Sequence, residues 1–248
     1  MSQAQSDNGV GRHYWIAKYG LKPLSRFFFD VKMTSAEHIP ETGPAIFAAN
    51  HISFMDSALL MTTLPRQITF VGKAEYMDDW KTKHLFPAIG MIPIDRSGGS
   101  ASRSALDAAA GVLEDGRFFG IFPEGTRSRN GKLHKGHTGV ARLAMRTGAP
   151  VIPVGVVGTD LIQPCDAPLP RPFMPAELKF GRPISPERYS RKGGVDRLAL
   201  RQMTDEIMFE VSQMTGQEYV ARYATRKSET VPTPEAALPT TSMAAVGG

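Results

Sequence analysis

One cysteine, Cys165, is all that the 248 residues contain. A single thiol makes no intrachain disulfide, which excludes a small disulfide-stapled secreted fold and fits a reducing compartment. Its neighbours Gln163, Pro164 and Asp166 include no activating cation, so a loop thiol is expected rather than a nucleophile. No Gly-x-Ser-x-Gly pentapeptide occurs, which removes the nucleophile elbow of serine hydrolases. No apolar run approaches the roughly 18 residues that a membrane-spanning helix needs. Residues 1–10 are polar and lack a basic-then-apolar pattern, so neither a signal peptide nor a transmembrane helix is predicted. Zinc-finger spacing, RNP-like aromatic strands and long basic runs are missing too, which argues against nucleic acid as a partner. No internal repeat is visible.

What the chain has is apolar material: 42% of its residues are hydrophobic, enough to bury a full core. Its formal charge is +5 and its pI about 9.4, a basic excess that suits an anionic membrane surface or an anionic substrate.

Residues 1–10 are expected to be disordered, as is the Pro-, Thr-, Ala- and Gly-rich tail at 227–248. Residues 11–33 interleave Tyr14, Trp15, Tyr19, Phe27, Phe28 and Phe29 with Arg12, Lys18, Lys22, Arg26 and Lys32. Rings that bury beside cations that meet lipid phosphates predict amphipathic interfacial helices here, broken or restarted at Pro23. A helix packed on the domain fits the same pattern. From residue 34 the chain alternates. Strands are predicted at 44–49, 67–72, 91–94, 117–122, 151–157 and 177–180, and helices at 53–64, 78–86, 102–115, 138–146 and 195–215. Residues 159–175 hold five prolines and read as a loop. Pro153 inside an apolar run points to an edge strand or a bulge. The alternation predicts an α/β domain over 34–216, with a mostly parallel central sheet flanked by helices.

Ligand groups in such folds collect at strand ends, and several ends here carry unusual residues. Asn50-His51-Ile52-Ser53-Phe54-Met55-Asp56 lies between an apolar strand and a helix. Five residues on an ideal helix turn through about 500°, so His51 and Asp56 pair only if His51 lies in the loop. With Ser53 as N-cap, Asp56 falls at the third helical position and points back toward the loop. A histidine held by an acid is a base for a hydroxyl proton. A helix cap with no chemistry fits the same residues. Phe122-Pro123-Glu124-Gly125-Thr126-Arg127-Ser128-Arg129 ends another strand in an acid, a glycine and two arginines. Gly125 permits a sharp turn, Arg127 offers a planar fork for phosphate or carboxylate, and Glu124 can anchor that fork or hold a hydroxyl. An ordinary turn with a local ion pair fits too. Asp95-Arg96 after the strand at 91–94 offers a second arginine, or a solvated loop. His134 and His137 lack the carboxylate or cysteine spacing of a zinc site, so no metal is expected.

These segments, in this order, resemble the glycerolipid acyltransferase family that includes 1-acylglycerol-3-phosphate acyltransferases. The Asn-His-four residues-Asp motif is matched at 50–56, and Gly followed by Ile-Asp-Arg at 90–96. Phe-Pro-Glu-Gly-Thr-Arg-Ser is matched at 122–128, and an apolar strand with an internal proline at 151–154. The resemblance implies acyl transfer from a coenzyme A or acyl-carrier-protein thioester to the free hydroxyl of 1-acylglycerol 3-phosphate. It implies His51 as general base, Asp56 as its orienting acid, and Arg96, Glu124, Gly125 and Arg127 at the acceptor, with Lys73 as a further basic contact. It implies no cofactor beyond the acyl donor, and peripheral attachment to the cytoplasmic face of the cell membrane. The chemistry agrees: a thioester has a good leaving group, so a base suffices and no enzyme nucleophile or metal is needed. Two other outcomes stay open at this point: another acceptor (glycerol 3-phosphate, another lysophospholipid or a glycolipid), and a membrane lipid-binding protein without turnover.

Overall fold

The computed structural model describes residues 27–73, 91–94, 101–189 and 196–225. Seven strands form its main sheet: β1 (Phe29–Thr34), β2 (Ala45–Ala49), β3 (Ile68–Lys73), β4 (Met91–Ile94), β5 (Phe118–Ile121), β7 (Val151–Val157) and β8 (Met174–Phe180). Their order across the sheet is β1-β8-β7-β2-β5-β3-β4. The five strands from β7 to β4 are mutually parallel, while β8 runs antiparallel to β7 and β1 runs parallel to β8. A mostly parallel sheet flanked by helices is therefore present. A two-stranded sheet pairs β6 (Leu133–His134) with β9 (Tyr219–Val220).

The central strand explains the layering. All five residues of β2 are buried, as expected for a strand covered on both faces. Ala45, Phe47 and Ala49 face one core with Leu59, Leu60 and Leu64 from the region of helix α1 (Met55–Thr63). Ile46 and Ala48 face the other, against α2 (Ala101–Glu114), α3 (Gly139–Thr147) and α5 (Arg197–Thr215). Phe47 and Phe118 are fully buried with ring centroids 4.9 Å apart. Each such side chain contributes roughly 1.5–3 kcal/mol by leaving water. On α5, Leu200, Met203, Ile207 and Val211 recur at helical spacing and are buried. Asp196 caps its start, accepting the Leu198 N–H at 3.2 Å, and Gly216 closes it in the left-handed conformation.

The structure corrects the sequence reading in two places, adds a strand pair to it in a third and decides between its alternatives in a fourth. Residues 29–33, predicted within amphipathic helices, belong to β1: Phe29, Val31 and Met33 turn inward while Asp30 and Lys32 are exposed. Period-two alternation, not helical period, decides that stretch. The proline-rich segment 159–175 is not all loop, since it opens with the helical turn α4 (Thr159–Ile162) and closes by entering β8 at Met174. The pairing of β6 with β9 is too short to leave a pattern in sequence. Finally, β7 is an interior strand, and Pro153 sits in it opposite a bulge. Val151 pairs with Ile184 and Val154 with Phe180, so three steps on β7 face four on the other side. The prolyl nitrogen falls where the ladder is already interrupted. The predicted segments at 1–10, 11–26, 78–86 and 227–248 lie outside the described residues, as does Arg96. Among the described residues, no helix is long and apolar enough to cross a membrane.

Candidate active site

The parallel strands β2, β5, β3 and β7 all end at the same edge of the sheet. His51 follows β2, the loop from Phe122 to Ser128 follows β5, Lys73 ends β3 and Thr159 follows β7. Asn50 carries the first join. Its buried amide donates to the Val156 carbonyl at 2.8 Å and accepts the Val156 N–H at 2.7 Å, extending the β2–β7 pairing past its last rung.

His51 and Asp56 meet. His51 Nδ1 lies 2.8 Å from Asp56 Oδ2, with the histidine side chain 19% exposed and the carboxylate fully buried. The same Oδ2 accepts the N–H groups of Ile52 at 2.8 Å and Ser53 at 3.0 Å. Asp56 is the second residue of α1, one place earlier than predicted, because the helix starts at Met55. Ser53 still caps in function, its hydroxyl accepting the Met55 N–H at 3.1 Å and donating to the Gln163 carbonyl at 2.7 Å. The acid therefore does two jobs: it binds the orphan amides of the entering turn and holds the imidazole. With the Nδ1 proton directed at Asp56, Nε2 keeps its lone pair for a proton from elsewhere.

The loop after β5 grips the histidine from behind. The Phe122 ring stacks on the imidazole at 3.9 Å, 11° from parallel, and itself stacks on Phe70 at 5.6 Å. The His51 carbonyl accepts the Ser128 N–H at 2.6 Å. The His51 N–H donates to Glu124 Oε1 at 2.9 Å, and the His134 N–H donates to Glu124 Oε2 at 2.9 Å. Glu124 is 1% exposed. It thereby braces two backbone segments, one of which carries His51. Gly125 turns the loop with φ +75°, and a Cβ there would sit 3.3 Å from the His137 ring.

Arg127 is half-buried, and its hydrogen bond to the Cys165 carbonyl is long, 3.4 Å. Arg129 is instead committed to Asp166 at 2.8 and 3.1 Å. Of the two arginines, Arg127 carries no ion pair among the described residues. For Lys73 the structure places the backbone, at the end of β3. The Cys165 thiol lies against the same loops, donating to the Ile52 carbonyl at 3.4 Å and the Ser128 carbonyl at 3.7 Å. Burial pushes its pKa up against the opposing pull of Arg127 and Arg129, so the thiol form is favoured. His137 stacks on Tyr223 at 4.4 Å, and burial together with the charge of Arg201 lowers its pKa. Among the described residues no three His, Cys, Asp or Glu side chains gather as metal ligands.

Two contributors were not singled out in sequence. Phe122 reads in sequence only as the end of an apolar strand. Thr159, whose hydroxyl donates to Asp56 Oδ1, opened a stretch taken for loop and left no local signal.

Comparison with known proteins adds to this geometry. A family model described as Acyltransferase matches residues 30–157. A chloroplastic 1-acyl-sn-glycerol-3-phosphate acyltransferase of Arabidopsis thaliana is 28% identical over 153 residues, 61% of this chain and 43% of that protein. The alpha form from Mus musculus is 31% identical over 126 residues, 50% of this chain and 44% of that protein. The chain spans about half the length of the curated relatives it matches. The crystal structure of the 1-acyl-sn-glycerophosphate acyltransferase PlsC from Thermotoga maritima superposes with a TM-score of 0.63 at 28% identity, over 81% of this chain and 78% of that one.

Proposed function

Since this chain belongs to the acyltransferase family, we propose that it transfers a fatty acyl group from acyl-CoA or acyl-carrier protein to the free hydroxyl of 1-acylglycerol 3-phosphate, giving phosphatidic acid. The observation that carries the reading is the His51–Asp56 pair at a strand end, with Arg127 next in sequence to Ser128, whose N–H donates to the His51 carbonyl. In this mechanism His51 Nε2 takes the acceptor hydroxyl proton as the oxygen attacks the thioester carbonyl. The new C–O ester bond forms, the C–S bond breaks, and the departing thiolate receives the proton from His51. Asp56 holds the imidazole and balances its transient charge. Arg127 and Arg96 take the acceptor phosphate, with Lys73 as a further cation; the planar guanidinium fork matches phosphate oxygens. Gly125 leaves room at the turn. No cofactor besides the acyl donor takes part. The relatives' printed names support the acceptor.

The experiment is an acceptor panel followed by mass spectrometry. Acyl-CoA is supplied with 1-acylglycerol 3-phosphate, glycerol 3-phosphate or an uncharged lysolipid, and free thiol is read alongside product. Phosphatidic acid formed at least tenfold faster than any other product is expected. Preference for another acceptor replaces the substrate while keeping the chemistry. Vesicle binding with no turnover on any acceptor overturns the enzyme reading.

A lipid acceptor also calls for contact with a bilayer, at the cytoplasmic face of the cell membrane; among the described residues no helix is long and apolar enough to cross it. The aromatic and basic residues in the sequence of 11–28 support such contact, as do exposed apolar side chains. Phe27 and Phe173 are 71% and 67% exposed and Leu169 is 74% exposed. The rings of Phe27, Phe28 and Phe173 lie within 6.2 Å of one another. Rings of this kind sit at headgroup depth. The double substitution Phe173→Ser and Leu169→Ser is expected to weaken co-sedimentation with phosphatidylglycerol-containing vesicles about fivefold or more. Unchanged co-sedimentation would remove these side chains from the interface.

A further inference from the structure

The carboxylate of Asp56 has two oxygens with different neighbours. Oδ2 carries the pairing with His51 and the two turn amides. Oδ1 accepts from the hydroxyl of Thr159, which lies 103 residues away in sequence. Thr159 is fully buried, so no solvent competes for its single proton. Other threonines on helices here behave differently. Thr62, Thr204 and Thr215 each donate to a carbonyl one turn back. Thr159 opens α4, and its proton goes to the carboxylate instead.

The backbone delivers it there. The strand β7 pairs with β2 and ends beside Asn50. Gly158 then turns the chain with φ +84°, and a Cβ at that residue would meet the Pro175 carbonyl oxygen at 2.6 Å. Only glycine satisfies both demands without displacement of β8.

We propose that Thr159 is a positioning residue for the acyl transfer. Its hydroxyl locks the second oxygen of Asp56, so the carboxylate plane is fixed from both sides. Oδ2 then stays on His51 Nδ1, and the imidazole stays aimed at the acceptor. This inference rests on the reading of His51 and Asp56 as base and orienting acid. It adds a second point of control, because the segment that carries Thr159 also touches the dyad loop through the Gln163 carbonyl and the Cys165 thiol.

The test compares Thr159→Val, which keeps the shape and loses the donor, with Thr159→Ser, which keeps the donor. Both are assayed for thiol release from acyl-CoA with 1-acylglycerol 3-phosphate, and both are melted to follow stability. Thr159→Val is expected to lower kcat about 10- to 100-fold, with KM for each substrate within about twofold. Thr159→Ser is expected to keep kcat within about threefold. In an Asp56→Asn background, Thr159→Val is expected to add less than about twofold, because the two act as one unit. The inference is overturned if Thr159→Val keeps wild-type kcat, if Ser and Val lose equally, or if the loss multiplies with that of Asp56→Asn. An active His51→Ala overturns the base assignment itself, so the two failures are distinguishable.

Discussion

Replacing His51 with alanine is expected to lower kcat about 100- to 10,000-fold, the range that a positioned general base supplies. KM for the acyl donor should change little, because in the proposed reaction the imidazole acts on the acceptor proton. The fold should survive. The imidazole is held at Nδ1 by Asp56 and on one face by Phe122, and its side chain is partly open, so truncation removes one stacked pair rather than a core residue. The loss of Nδ1 leaves Asp56 with the turn amides and Thr159 still in place. Thermal melting within a few degrees of wild type, together with the fall in kcat, separates lost chemistry from lost structure. A variant that keeps more than a tenth of wild-type kcat is incompatible with His51 as the base.

The second large effect concerns Glu124, which holds two backbone amides. An acceptor contact would appear as a raised KM for the lysolipid. A brace appears differently. Both carboxylate oxygens accept buried N–H groups, from His51 and from His134. Glu124→Gln keeps the shape but turns one acceptor into an amide donor facing one of those N–H groups. A buried donor left without its acceptor costs about 1–3 kcal/mol. For a domain of this size that lowers Tm by roughly 3–10 °C. The His51 backbone loses one of its two ties to the β5 loop, so kcat is expected to fall about 10- to 100-fold with lysolipid KM within about threefold. A variant of wild-type Tm whose only defect is a tenfold rise in lysolipid KM restores Glu124 to the acceptor.

The pairing of His51 with Asp56 was legible because it is local. A loop of four residues, a serine at the helix start and an acid in the first turn contain the geometry, and only the register slipped by one residue. The layering was legible for a similar reason. The runs at 44–49 and 151–157 are apolar throughout, which suits strands covered on both faces. What sequence hid is contact over long range. Nothing in the neighbourhood of Thr159 announces Asp56, since the link exists only once β7 lies beside β2. Glu124 shows the same limit: an acid next to an arginine reads as an ion pair, and its hold on two backbone amides appears only in the fold. The stretch 29–33 misled for another reason. Aromatics and cations mixed in a short segment satisfy helical and alternating patterns alike, and the pairing of β1 with β8 chooses between them.

In the proposed reaction the acceptor hydroxyl attacks the thioester directly, with the protein supplying a base and no covalent intermediate. The most direct test gives the protein acyl-CoA alone, follows free thiol, and then weighs the intact chain. No thiol burst and no added acyl mass are expected until 1-acylglycerol 3-phosphate is supplied, and then one phosphatidic acid for each thiol released. A stoichiometric burst without acceptor, with an acyl mass on Cys165 or on His51, contradicts it.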